Sequence, residues 1–281
     1  MSLQDTATTG PAVRIGDDLE LVTVAKPEPG IAVLSLNRPQ ARNALSLAML
    51  TELSRAFRAL GTDAEVHAIV LAAEGPAFCA GHDLKELTSH RGDPDKGRAF
   101  YSDTMRACAE MMLTIVRCPK PVIAAVHATA TAAGCQLVAT CDLAIASHDA
   151  KFCTPGVNIG LFCSTPMVAL SRNVSRKRAM EMLLLGEMLD AGEAADWGLV
   201  NKAVPAENVM SEAFDMARRI ASKSPATVAI GKEAFYRQLE MPLTEAYEFA
   251  ADVMVRNMLM ADAAEGIGAF LEKRPARWQG C

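Results

Sequence analysis

From Pro121 to Cys141 the chain carries no charged residue. About 20 uncharged residues is the length a membrane helix needs, so such a run either crosses a bilayer or is buried within protein. The segment PVIAAVHATATAAGCQLVATC opens with proline, is dominated by Ala and Thr, and includes His127 and Gln136, a composition that inserts poorly into lipid. It reads instead as a buried strand, Val122 to Val126, a tight turn, and a small-residue helix from about Ala132 to Thr140. A strand without polar alternation is covered on both faces, which calls for a mostly parallel sheet between helices.

The flanking sequence supplies that setting. Residues 1–17 are polar with Gly and Pro and read as a flexible lead-in. Leu19 to Ala25 and Ile31 to Asn37 read as an antiparallel hairpin turning through Lys26-Pro27-Glu28-Pro29-Gly30. Ser46 can cap a helix to about Leu60, in which Leu50, Leu53, Phe57 and Leu60 share a face. Val66 to Ala73 is a second continuous apolar strand, Gly97 to Val116 a helix, and Leu143 to Ala146 a further strand. Strand, helix and strand in succession make crossover units, hence an α/β core over 18–205. Residues 206–281 read as a helical C-terminal region. The helices predicted after Ser164 are Ser175–Leu185, Asp190–Trp197, Glu207–Ala221, Ser224–Leu239 and Leu243–Met260, with Leu199–Val204 as a strand. Asp262 to Glu265 resembles a capping box opening a last helix that ends near Lys273.

Composition narrows the function classes. With 28 basic against 33 acidic residues, a formal charge of −5, the 281-residue chain lacks the positive surface that nucleic-acid binders use. Eight cysteines are dispersed without a CxxC pair and read as buried, reduced thiols of an intracellular protein rather than a disulfide framework or metal site. The first twenty residues show neither a signal peptide nor an Arg-rich transit peptide: Arg14 is their only basic residue.

Two loops carry the chemistry. Phe78-Cys79-Ala80-Gly81-His82-Asp83-Leu84 follows one buried strand, and Ala132-Ala133-Gly134-Cys135-Gln136 follows another. Small residues at a strand-to-helix junction permit close packing and also let a ligand approach the main chain, where the first N–H groups of a helix are unpaired donors. Two such loops converging would form an oxyanion hole, each donor contributing about a hundred- to thousand-fold in rate.

On these and further stretches the chain resembles the crotonase superfamily, the enoyl-CoA hydratase and isomerase family. The stretches are LSLNRPQARNALS, VLAAEGPAFCAGHDLKEL, CPKPVIAAVHATATAAGCQLVATCDLAIAS, FCTPGVNIGL, LLLGEMLDAGEAADWGLVNKAV and GIGAFLEKRPARW, spread in order from about Leu19 to Trp278. The resemblance implies a spiral of ββα units with a helical C-terminal trimerisation region, a homotrimer or dimer of trimers, and a mitochondrial setting. It also implies a site for an acyl-CoA thioester, with coenzyme A as part of the ligand and no separate cofactor, metal or membrane span. It assigns the oxyanion donors to the backbone N–H groups of His82 and Ala133. Arg38, Asn43, Ala44 and Leu45 would line the channel near the pantetheine, Ala80, Gly81, Asp83 and Leu84 its adenine side, and Phe270 and Lys273 would touch the CoA from the last helix.

The chain departs from the family's pattern where hydratases activate water. The two glutamates of that chemistry fall at Gln136 and Gly156. An amide accepts no proton near neutral pH and glycine has no side chain, so neither serves as general acid or base. Isomerases that keep only the second glutamate are excluded by the same Gly156. Three functions remain: an acyl-CoA-binding protein of fatty-acid metabolism with weak or absent hydratase activity, an enzyme of another acyl-CoA reaction (isomerase, thioesterase or decarboxylase type), or a structural subunit. In the second, His82 or bound water would move the proton; Ser164, Cys163 and His90 are lesser candidates.

Overall fold

The computed structural model describes residues 21–281. The lead-in predicted at 1–17, and the start of the first strand at Leu19, lie outside the described residues. β1 (Val22–Glu28) and β2 (Gly30–Leu36) form the expected antiparallel hairpin, with one correction. The strand continues through Pro27 to Glu28, leaving a turn at Pro29 and Gly30 instead of a five-residue connection. Proline donates no ladder bond, and two features accommodate it: β1 is an edge strand, and its register shifts between Ala25 and Glu28.

α1 (Leu47–Thr62) follows, its cap Ser46 accepting a bond from the Met49 amide at 3.2 Å. β3 (Val66–Ala73), α2 (Leu84–Ser89) and α3 (Arg98–Arg117) come next. The charge-free run contains the expected strand β4 (Val122–Val126) and helix α4 (Ala133–Thr140), with a short strand β5 (Ala130–Thr131) inside the stretch expected to be a turn. β6 (Leu143–Ser147) and β7 (Lys151–Cys153) complete the first part of the spiral. Thereafter run α5 (Pro166–Asn173), α6 (Arg176–Leu185), β8 (Leu189–Asp190), α7 (Ala191–Asp196) and β9 (Lys202–Val204). Four helices close the chain: α8 (Val209–Ala221), α9 (Pro225–Gln238), α10 (Leu243–Met258) and α11 (Ala261–Glu272).

The main sheet has six strands in the order β1-β2-β3-β4-β6-β9, parallel throughout except for the hairpin. Alternate residues of its strands enter different cores. Ile69, Leu71, Val122 and Ala124 join the larger one with α1, α3 and α4, while Ala68, Val70, Ile123 and Ala125 meet Val209, Ala213 and Ala217 of α8 on the opposite face. A second sheet of three short strands, β5-β7-β8, stands beside α4. Seven cysteines are buried and unpaired, whereas Cys281, read from sequence as buried, is exposed. No helix among the described residues is long and apolar enough to cross a membrane.

Two carboxylates, Asp142 largely and Asp262 fully buried, bind the C-terminal helices to this body. Lys232 of α9 donates to the carbonyls of Ile115 and Lys120, at 3.0 and 3.1 Å, and to Asp142 Oδ2 at 2.6 Å. Asp142 also accepts from the Val122 amide at 2.7 Å and the Tyr236 hydroxyl at 2.9 Å. Burial and then the Asp142 charge push the Tyr236 phenol well above its ordinary value. The second carboxylate corrects the predicted capping box. α11 begins at Ala261 with Met260 as its cap, and Asp262, 1% exposed, instead accepts bonds from Ser224 Oγ and the amides of Gln279 and Gly280. Glu265, its supposed partner, holds Arg274 at 2.7 and 2.9 Å.

Replacing Lys232 with Met strands Asp142 without a counter-charge and should lower the unfolding free energy by about 3–5 kcal/mol in urea denaturation. Combining it with Asp142→Asn should recover part of that loss.

Candidate active site

The loops after β3 and β4 are laced together by main-chain bonds. The amide of Phe78 donates to Thr129 O at 3.0 Å and that of Thr131 to Cys79 O at 2.9 Å, while Thr131 Oγ1 donates to Ala80 O at 3.1 Å. The segment before α1 joins them: Leu45 N donates to Gly81 O at 2.7 Å, and Asp83 N to Leu45 O at 3.2 Å. Asn43 is the knot. Fully buried, it accepts from the Arg38 amide at 2.9 Å and donates to Glu74 O and Ala77 O at 2.8 and 2.9 Å. Ala44 and Leu45 are buried beside it, and Ala80 and Leu84 are exposed.

Glycine is required where the loops touch. A Cβ on Gly134 would stand 2.2 Å from Cys79 O. One on Gly81, whose φ is +88°, would stand 2.9 Å from Ala132 Cβ and 3.3 Å from Ala133 N. The first loop therefore lies directly against the start of α4. Ala132, at φ 51° and ψ −118°, holds a conformation that costs an L-residue on the order of 1–3 kcal/mol. That conformation turns the chain sharply into the helix. Among the described residues neither the His82 nor the Ala133 N–H has an intramolecular acceptor. Both are therefore free to donate to an oxygen acceptor.

The side chains around the junction are uncharged or paired. Both ring nitrogens of His82 are shielded from solvent and lack a partner at hydrogen-bond geometry. Burial pushes the imidazole below its ordinary value, the Leu45 backbone acting in the opposite direction. Asp83 caps α2, accepting from the amides of Lys85 and Glu86 at 3.0 and 3.1 Å, and meets Arg38 Nη1 at 2.6 Å. Burial alone would raise its carboxyl; the Arg38 guanidinium and the two amides outweigh it and hold the group below the ordinary range. Gln136 sits one turn into α4, 4% exposed, its Oε1 unpartnered. Thr154 Oγ1 is likewise buried without a partner, just beyond the β5–β7 pairing of Thr131 with Cys153.

Gly156 lies buried in the turn Pro155–Ile159. A Cβ there would stand 2.9 Å from both Cys163 Sγ and Leu161 O, because residues 160–163 fold back over it with Leu161 N donating to Gly156 O at 2.9 Å. Burial pushes the Cys163 thiol up, with the Gly156 backbone opposing. Ser164 is exposed and donates to Phe162 O at 3.3 Å. His90 pairs with Asp93 at 2.7 Å and stacks on Phe100. No group of three or more metal-ligating side chains occurs among the described residues. Phe270 is 82% exposed on α11, and Lys273 is its left-handed cap at φ 57°; that helix packs on α9 and α10.

The sequence pattern of the Enoyl-CoA hydratase/isomerase family matches residues 26–281. The chain belongs to that family. It is 47% identical to enoyl-CoA hydratase domain-containing protein 3, mitochondrial, of Xenopus laevis over 92% of this chain and 86% of the relative. The Homo sapiens protein of that name is 46% identical over 91% and 83%. Among solved structures, an enoyl-CoA hydratase of Mycobacterium smegmatis superposes with a TM-score of 0.87 at 52% identity, covering 92% of this chain and 98% of that one. Human enoyl Coenzyme A hydratase domain-containing protein 3 gives 0.87 at 45% identity, over 92% and 100%. The fold is thus that of the enoyl-CoA hydratase/isomerase family, as the resemblance implies.

Sequence reasoning on this family member missed the pairing of Arg38 with Asp83, the unpartnered Thr154 and the loop over Gly156. Only the first left a trace, since Asp83 followed by Glu86 matches a helix-start signature. Glu86 differs from that signature in accepting from the Leu47 amide at 3.0 Å rather than from its own cap.

Two measurements check this site. Gly156→Ala should lower stability by about 1–3 kcal/mol through overpacking, and Gly156→Glu by more, each read by urea denaturation. In proton NMR the His82 ring should titrate below the ordinary histidine midpoint of about 6.5 and be neutral at pH 7. The unfolded chain binds that proton more readily, so the His82 contribution to stability falls as pH drops from the unfolded toward the folded midpoint.

Proposed function

We propose that the protein binds an acyl-CoA thioester with the carbonyl oxygen between the N–H groups of His82 and Ala133, and that it hydrates enoyl thioesters weakly or not at all. The observation that carries this reading is the junction at Gly81 and Ala132, where two main-chain donors without acceptors meet and neither Gln136 nor Gly156 offers a carboxylate. The donors would polarise the carbonyl and stabilise negative charge on its oxygen. Addition of water needs, in addition, a base to take its proton and an acid to deliver one to the carbon chain. The Gln136 amide does neither, and at Gly156 the main chain of Leu161 and the Cys163 thiol occupy the space of a side chain.

The remaining contacts follow the family's pattern. The buried segment of Arg38, Asn43, Ala44 and Leu45 would back the pantetheine, and the loop of Ala80, Gly81, Asp83 and Leu84 would flank the adenine side. Phe270 and Lys273 would close on the CoA from α11. Coenzyme A arrives as part of the ligand and no metal is called for. Exposed apolar side chains on α10 and α11, among them Leu243, Tyr247, Leu259, Phe270 and Leu271, support assembly as a homotrimer or a dimer of trimers, since patches of this kind mark contact surfaces. The vertebrate relatives are named mitochondrial, and the same compartment and a place in fatty-acid metabolism are proposed for this chain. One observation favours a second reading, a different acyl-CoA reaction. A neutral, unpartnered His82 imidazole can accept a proton and, as the imidazolium so formed, give it back.

Calorimetry with a series of acyl-CoA thioesters should show binding. Crotonyl-CoA hydration should run about 10²- to 10⁴-fold below that of a two-glutamate hydratase for each absent acid or base. Absence of binding at every chain length would overturn the ligand assignment, and rapid hydration unaffected by Gln136→Ala would overturn the assignment of the proton-transfer positions.

A further inference from the structure

We propose that Arg38 is a positioning residue of the thioester site, acting through Asp83: it cancels the carboxylate charge that the fold places beside the His82 N–H. The proposal rests on the reading of His82 and Ala133 as carbonyl donors and adds a role that the channel assignment of Arg38 does not contain.

The charge beside the donor follows from how the loop ends. The chain must turn from the loop into α2, and Asp83 makes that turn by accepting the Lys85 and Glu86 amides on Oδ1. Asp83 follows His82 directly, so its carboxylate lies within about 7 Å of the His82 nitrogen. It is 8% exposed, and water screens it poorly. A carboxylate so placed opposes negative charge growing on a carbonyl oxygen held by that nitrogen.

Arg38 answers this charge and is held in place to do so. Its Nη1 lies 2.6 Å from Asp83 Oδ2 and 3.4 Å from Ala44 O, and its own amide is fixed on Asn43 Oδ1 at 2.9 Å. Asn43 in turn fastens the loop after β3 through Glu74 O and Ala77 O. The guanidinium is therefore directed at Asp83 by the same knot that sets the position of the loop. The other carboxylate on α2, Glu86, is already matched to the start of α1 through the Leu47 amide at 3.0 Å. Lys85, two residues beyond Asp83, meets it through its backbone amide.

The test reads carbonyl polarisation separately from affinity. A chromophoric cinnamoyl-CoA carrying an electron-donating ring substituent shifts its absorption to the red when its thioester carbonyl is polarised, and unacylated CoA reports the channel alone. The wild-type protein should bind the cinnamoyl thioester with a red shift. Arg38→Ala should lose about half of that shift at saturation, as expected when a buried opposing charge is uncovered, whatever affinity for unacylated CoA its removal from the channel costs. Arg38→Lys should retain the shift. Asp83→Asn should equal or exceed the wild type, and Arg38→Ala combined with Asp83→Asn should regain what the single variant lost. A full shift in Arg38→Ala, a reduced one in Asp83→Asn, or no recovery in the double variant would each overturn the proposal. A tenfold loss of affinity for unacylated CoA in Arg38→Ala with the shift intact would make Arg38 a direct CoA ligand instead. Should the wild-type protein bind the cinnamoyl thioester without any shift, the carbonyl assignment itself fails, an outcome distinct from failure of the Arg38 role. Asp83→Asn leaves the cap in place, so the proposal stays open to refutation even where Arg38→Ala does not fold.

Discussion

Among the glycines of the described residues the most tightly enclosed is Gly134, where a Cβ would stand 2.2 Å from the carbonyl oxygen of Cys79. Much else depends on it. Because the first turn of α4 packs onto the main chain of the preceding loop, Thr131 can bond to Cys79 and Ala80, and Gly81 can lie against Ala132 and Ala133. The small residues of the charge-free run are thus explained twice over. They permit the buried strand β4, and they let the loop at Gly81 lie against the Ala133 amide. The strained Ala132 belongs to the same construction. Its left-handed φ is maintained by contacts on both sides, including its amide on Cys153 O at 2.9 Å.

Charge is distributed with the same economy. Where an acidic side chain is buried, the fold supplies either a basic partner or several donors: Lys232 and Tyr236 for Asp142, Arg38 and two amides for Asp83, and Ser224 and two amides for Asp262. Each of these carboxylates also joins segments distant in sequence, so the desolvation that would penalise a lone charge is offset by bonds that define the tertiary arrangement. At the candidate site His82, Gln136 and Thr154 leave buried polar atoms unpartnered, as Thr104 does on α3; at the site a bound ligand would complete the bonding.

The parts of this arrangement legible in sequence were those with a period, a cap or a run. β3 and β4 show as continuous apolar strands, and α1 through Ser46 and its repeating leucines. The strands β5, β7 and β8 contain only two or three residues and are too short to carry a period. α2 has six residues and hides in the loop that it terminates. The continuation of β1 through Pro27 was not legible because a proline ordinarily ends a strand, and here the edge position and a register shift remove the objection. At the site, residue types indicated which backbone atoms to inspect. The ion pair of Arg38 with Asp83 spans 45 positions, and such a contact exists only once the two loops are folded together.

The departures at 136 and 156 are different in kind, and the difference bears on what the site can become. Gln136 has the size of a glutamate and is buried on α4 with its Oε1 unpartnered, so a single substitution would place an acid there. Gly156 is enclosed. Leu161 O and Cys163 Sγ both stand where its first side-chain carbon would be, and one of these is main chain, so no change at position 163 alone makes room. A carboxylate at 156 requires residues 160–163 to be rebuilt, along with the bond from Leu161 N to Gly156 O. That loop also displays Leu161 and Phe162 at 54% and 43% exposure. The lack of room for a side chain at 156 is therefore a property of the local fold, set by main chain as much as by the Cys163 thiol.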